Sequence, residues 1–110
     1  MNQEIPNDSM SCIHVADLAS LAIGCLLCPE ASGRYFAVLE SFPWHAIMDS
    51  IKKAKPDYVI PAKRFDQDNQ VTLFDVSRRD SICKYLGIQL RGLDDMVDDT
   101  IKYLQSAGEL

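Results

Sequence analysis

Between Ala16 and Leu27 the chain carries Ala16, Leu18, Ala19, Leu21, Ala22, Ile23, Cys25, Leu26 and Leu27, and only Asp17, Ser20 and Gly24 interrupt the apolar run. The pattern predicts a helix over 16–27. Asp17 falls in its first turn, where a carboxylate meets the positive end of the helix dipole, and Pro29 stops it. A surface helix usually shows one apolar stripe and one wet face. This one has almost no wet face, so it needs cover on several sides. Ser20 and Gly24, one helical turn apart, form a strip of small residues where another backbone can approach closely. The rest of the chain is expected to fall short of covering such a helix.

That shortfall follows from size. A chain of 110 residues is at most one domain, with a thin margin of stability. We read 1–10 as a loose lead-in, with Pro6-Asn7-Asp8 as a turn signal, and 11–110 as one domain. Residues 11–15 suit a short strand, and 34–39 suit another, after the Ser32-Gly33 turn. Pro43 opens a second helix at a position proline favours. Trp44, Ile47, Met48, Ile51 and Ala54 recur at helical spacing and face a core. Lys52, Lys53 and Lys55 crowd its last turn, before Pro56. Tyr58-Val59-Ile60 reads as a short strand, made a poor central one by Pro61. Residues 66–70 read as a polar loop and 71–76 as a further strand. A helix over 81–86 takes Asp80 or Ser81 as N-cap and Gly87 as its left-handed terminator. A last helix over 93–107 starts at Gly92, buries Leu93, Met96, Val97, Ile101 and Leu104, and ends at Gly108. The class is α+β, with three to four helices and a few short strands.

Charge and segment lengths exclude some functions. The net charge is −5 with no basic patch, which argues against nucleic acid as a partner. No apolar stretch reaches the roughly 20 residues that span a bilayer, so no membrane role is expected. The polar start, 1–8, lacks the pattern of a signal peptide. A cytoplasmic, reducing setting is therefore expected, with Cys12, Cys25, Cys28 and Cys83 as thiols.

Four pieces of the chain, in consistent order, carry a resemblance. They are His14-Val15-Ala16-Asp17-Leu18-Ala19; Ala31-Ser32-Gly33-Arg34-Tyr35; Leu86-Gly87-Ile88; and Leu93-Asp94-Asp95-Met96 with Asp98-Asp99-Thr100. From about residue 6 onward the chain resembles the C-terminal part of extended short-chain dehydrogenases/reductases, within the NAD-dependent epimerase/dehydratase superfamily. The nearest branch is that of dihydroflavonol and cinnamoyl-CoA reductases. The stretch from Phe74-Asp75 to Gly87 runs longer than the family pattern by about one helical turn. The resemblance implies a truncated C-terminal substrate lobe, with the Rossmann nucleotide-binding part absent and 34–39 as a strand without its parallel neighbours. It also implies a parent reaction of hydride transfer between NADP(H) and a carbonyl or alcohol, and a truncated gene product, splice form or fragment.

The machinery for that reaction is not in these residues. Gly24, Gly33, Gly87, Gly92 and Gly108 never form Gly-x-x-Gly-x-x-Gly or Gly-x-Gly-x-x-Gly, the turns that let backbone amides approach a pyrophosphate. The family's Tyr-x-x-x-Lys is also missing. Tyr35, Tyr58, Tyr85 and Tyr103 are followed four positions on by Leu39, Ala62, Gln89 and Ala107. We therefore assign no catalytic and no cofactor-binding residue, and expect no cofactor on this chain alone. Three readings stay open. One is an enzyme-derived lobe, inactive by itself. Another is a non-catalytic interaction module docking through its apolar helix and unpaired strand on a partner such as a reductase or a Rossmann domain. The third is an unrelated small α+β protein.

Individual residues sharpen little. Met10, Cys12 and His14 alternate along the first strand and share a face, so they are the candidates to line a substrate; a hydrogen-bonded structural histidine is the competing role for His14. His45 is expected at the surface. Cys25-x-x-Cys28 has the spacing of half a metal site, but a second pair is missing, so packing is the expected role and no metal ligand is assigned. Asp94, Asp95, Asp98 and Asp99 read as the negatively charged start of a solvated helix.

Overall fold

The computed structural model describes residues 9–59 and 71–109. Strand β1 (Ser9–Cys12) is followed by α1 (Val15–Leu27), β2 (Glu40–Pro43), α2 (Trp44–Ala54), α3 (Ser77–Leu86) and α4 (Leu93–Ser106). The two strands pair antiparallel, Ser9 opposite Pro43 and Cys12 opposite Glu40. The Ser11 and Ser41 hydroxyls meet across the pair at 2.7 Å. Helix α2 packs on α4 and touches β2, and α1 packs on α3. The buried apolar residues are Leu21, Val38, Ile47, Ile82 and Val97.

The first strand lies earlier than 11–15 and takes in Ser9 and Met10, within the stretch read as lead-in. The reason is His14. Its backbone is extended and its Nδ1 accepts the Ala16 amide at 3.0 Å, which makes it the N-cap of α1. A side chain engaged in capping satisfies a helix-end donor, so the strand must finish before it.

Residues 34–39 are not a strand, and the partners of their carbonyls explain why. The Arg79 guanidinium donates from Nη1 to the carbonyls of Val38 at 2.6 Å and Leu39 at 2.8 Å. Arg78 donates to the carbonyl of Arg34 at 3.1 Å and lies over the Tyr35 ring. Acceptors that a neighbouring strand would use are taken by two arginines of α3. We expect Arg79→Ala to cost about 1–3 kcal/mol, the desolvation cost of carbonyls left half-buried without donors. Arg79→Lys should recover only part of it, since an ammonium cannot reproduce the fork of a guanidinium. Chemical denaturation of both variants measures the difference.

Residues 71–76 are not a strand either. Asp75 accepts from the backbone amide of Ser77 at 3.1 Å and from its hydroxyl at 2.7 Å, a local turn that starts α3 at Ser77 rather than Ser81. Asp80 and Ser81 are thus inside the helix and do not cap it. The Ser81 hydroxyl donates back to the Ser77 carbonyl. Tyr58 and Val59 also lie outside any strand; Ile60, Pro61 and the loop read over 66–70 fall outside the described residues.

The other helix ends follow their sequence signals. Gly87 has φ 68°, and the Ile88 amide returns to the Cys83 carbonyl at 3.0 Å, which closes α3 with a Schellman motif. Gly92 precedes α4 and Gly108, with φ 76°, follows it. Of the small-residue strip on α1, Gly24 is buried against Ile82 and Leu86, so the close approach is made by side chains of α3 rather than by a second backbone. Ser20 bonds its own helix, at the Ala16 carbonyl.

Two ionic ties join the helix layers. Asp17, 3% exposed, accepts the Arg91 backbone amide at 2.7 Å and the Arg91 guanidinium at 2.5 Å. Asp94 accepts the Ser50 hydroxyl at 2.6 Å and the Lys53 ammonium at 2.8 Å. Asp94 thus ties α4 to α2 while its carboxylate stays more than half exposed in the first turn of α4, in keeping with the solvated helix start read from the sequence.

Candidate functional site

An open cleft of about 730 Å³ lies between the β1–α1 junction, α2 and α4. Met10, Cys12 and His14 form one wall. Ile47 and Ile51 of α2 form the second. Met96, Val97, Ile101 and Leu104 of α4 form the floor and third side. All three residues selected from strand alternation reach this cleft, though His14 does so from the helix cap and not from the strand. The residues opposite them were legible only as core-facing stripes. Periodicity shows which face of a helix is apolar, but not whether a neighbour fills the space in front of it.

His14 has no ring nitrogen to offer a ligand. Nδ1 accepts the Ala16 amide, so the ring proton sits on Nε2, which donates to Asp99 Oδ2 at 2.6 Å. The residue is 8% exposed. Its work is to fix the first turn of α1 and hold α4 at a set distance across the cleft mouth. Cys12 is half-buried, and burial pushes its thiol above the ordinary range. It is a neutral thiol at pH 7 and a poor nucleophile. His45 is half-buried at the start of α2. Cys25 and Cys28 are half-buried free thiols near the end of α1. Among the described residues no group of three His, Cys, Asp or Glu is placed to hold a metal, and no helix is long and apolar enough to cross a membrane.

The hydrogen bond from His14 holds the Asp99 carboxyl below the usual carboxylate range, and Lys53 with Ser50 does the same for Asp94. A carboxylate whose pKa is depressed on folding adds stability above its unfolded pKa, and that stability is lost as pH falls through the folded value. We expect the thermal midpoint to fall as pH drops below about 4. An Asp94→Asn, Asp99→Asn double variant should show a flatter acid limb in thermal scans from pH 7 to pH 2.

The second notable surface is α1 itself. Leu21 and Gly24 are buried toward α3, while Val15, Ile23, Leu26 and Leu27 stand 75%, 54%, 86% and 61% exposed. The cover that the sequence pattern calls for is supplied on one side only.

No family model matches the chain. It is 25% identical over 91 residues to aldehyde reductase 2 of Sporidiobolus salmonicolor, an alignment covering 81% of this chain and 26% of that protein. The likeness supports a relationship to reductases. The chain spans about a quarter of the length of that relative.

Proposed function

We propose that this chain is the C-terminal substrate-lobe portion of an NAD(P)-dependent carbonyl or alcohol oxidoreductase, of the extended short-chain dehydrogenase type and close to the dihydroflavonol and cinnamoyl-CoA reductases. By itself it neither holds the nicotinamide cofactor nor catalyses hydride transfer. The observation that carries the reading is the match to aldehyde reductase 2, which runs through most of this chain and through about a quarter of that enzyme. The bare outer face of α1 supports it, because a lobe that packs on a nucleotide-binding neighbour needs an apolar face to do so. A reducing, cytoplasmic setting belongs to the same proposal, in keeping with the free thiols of Cys12, Cys25, Cys28 and Cys83.

Titration calorimetry of NADPH into the isolated chain tests this. No saturable binding is expected, and saturable binding would refute the reading.

The same exposed residues favour a second reading, a non-catalytic module that docks on a reductase or a Rossmann domain through α1. Leu26→Glu, at a position 86% exposed, should leave the stability of the isolated chain within about 0.5 kcal/mol of the parent and abolish co-elution with such a partner. A parent chain that stays monomeric beside candidate reductases in size-exclusion chromatography counts against docking.

A further inference from the structure

Every charged side chain lining the cleft among the described residues is already engaged. Asp99 receives the His14 Nε2–H at 2.6 Å, and His14 spends its other nitrogen on the α1 cap. The Lys55 ammonium is held by both oxygens of Asp57, at 3.2 and 3.1 Å. The Thr100 hydroxyl, also at the cleft, donates to the Met96 carbonyl at 2.7 Å. What remains is aliphatic and thioether surface with a thiol and two phenols. An anionic ligand entering here would lose its hydration and meet the Asp99 carboxylate with no free cation, which is costly. A cation would have only Asp99, more than half exposed and already bonded to His14, to offset its lost hydration. An uncharged apolar one would displace water from Met10, Ile51, Met96 and Leu104 at no such cost. The volume of about 730 Å³ falls within the range of sites for small organic ligands rather than for single ions or waters.

We propose that the cleft between β1, α2 and α4 is a binding site for an uncharged, predominantly apolar small molecule, and that it works without nucleotide. The proposal stands on the cleft alone and does not depend on the oxidoreductase reading.

Two probes differing by one charge test it: neutral N-phenyl-1-naphthylamine and its anionic 8-sulfonate. The neutral dye should bind the isolated chain at least about tenfold more tightly, because the sulfonate gains no partner. The methionines give the location. Met10 and Met96 line the cleft whereas Met48 does not, so with methyl-labelled methionine the Met10 and Met96 signals should move on adding the neutral dye and Met48 should stay. Thr100 is exposed at the cleft edge. Thr100→Trp should obstruct part of the cleft and weaken neutral-dye binding at least about tenfold, with an unchanged far-ultraviolet circular dichroism spectrum as the check on folding. Preference for the sulfonate, dye binding that leaves Met10 and Met96 unmoved, or full binding by a folded Thr100→Trp variant would each overturn the proposal. The second of these would place the dye elsewhere, or show the cleft filled by the chain itself.

Discussion

Arg91→Ala should destabilise the protein by about 3 kcal/mol, near the lower end of what breaking a buried pair costs. The asymmetry of the pair sets that figure. Asp17 is almost fully buried, whereas the Arg91 side chain is 47% exposed. Removing the arginine leaves a carboxylate shielded on its other sides, with no cation beside it and the Arg91 backbone amide as its remaining described donor. Removing the charge from the other side is milder. Asp17→Asn leaves a guanidinium that turns to solvent, and an amide oxygen that still accepts the backbone N–H, so about 1–2 kcal/mol is expected. The double variant should be more stable than Arg91→Ala alone, because the stranded charge is then gone. In a domain of this size each kcal/mol moves the thermal midpoint by about 4–8 °C, so the three variants are separable by thermal scans. Equal effects from the two single variants would show that Asp17 is better hydrated than the fold implies.

The other large effect is expected where α1 crosses α3. Ile82 is 2% exposed, the most deeply buried side chain described, and Ile82→Ala should cost about 2–5 kcal/mol through lost burial and the cavity left behind. Gly24 faces it. A Cβ at Gly24 would lie 2.7 Å from Ile82 Cγ2 and 2.7 Å from Leu86 Cδ1. Leu86 can swing its end aside, but a β-branched isoleucine in a helix is fixed at χ1. Gly24→Ala therefore combines overpacking of about 1–3 kcal/mol with a helix-propensity gain of about 1 kcal/mol, for a net loss of about 1 kcal/mol. The two changes should couple, because Ile82→Ala removes the methyl that the new Cβ strikes and the Cβ occupies part of the vacated space. The double variant should lose less than the sum of the singles. Strict additivity would mean that the helices separate on substitution instead of repacking.

The sequence carried the local part of this fold. The helices α1, α2 and α4 and the glycines at 87, 92 and 108 are set by periodicity and cap chemistry within a few residues of each element, and the structure has them there. Sequence pattern and structure part where a distant partner decides. Residues 34–39 have the composition of a strand, but their carbonyls are taken by Arg78 and Arg79, about forty positions later. The ties from Asp17 to Arg91 and from His14 to Asp99 span 74 and 85 positions, and nothing local marks either one. The early start of α3 was closer to hand. An aspartate two residues before a serine, Asp75 and Ser77, is a turn signal that the β-like composition of 71–76 outweighed.

The candidate site shows the same division. Alternation along the first strand selected Met10, Cys12 and His14, and all three line the cleft. The double engagement of His14 was not legible, since its partners are a backbone amide created by the helix itself and a carboxylate at the other end of the chain. The exposed face of α1 was the most legible feature of all, because a helix without a wet face states its need for cover in composition alone.

That face is what the whole account turns on. Hydroxyl-radical footprinting of the isolated chain, held dilute enough to be monomeric by sedimentation, reads it side chain by side chain. Ile23, Leu26 and Leu27 should be oxidised at rates near those of an unfolded reference, with Leu21 on the same helix strongly protected. Protection of Leu26 and Leu27 as complete as that of Leu21 would contradict the account, since the chain would then have sealed its own apolar helix.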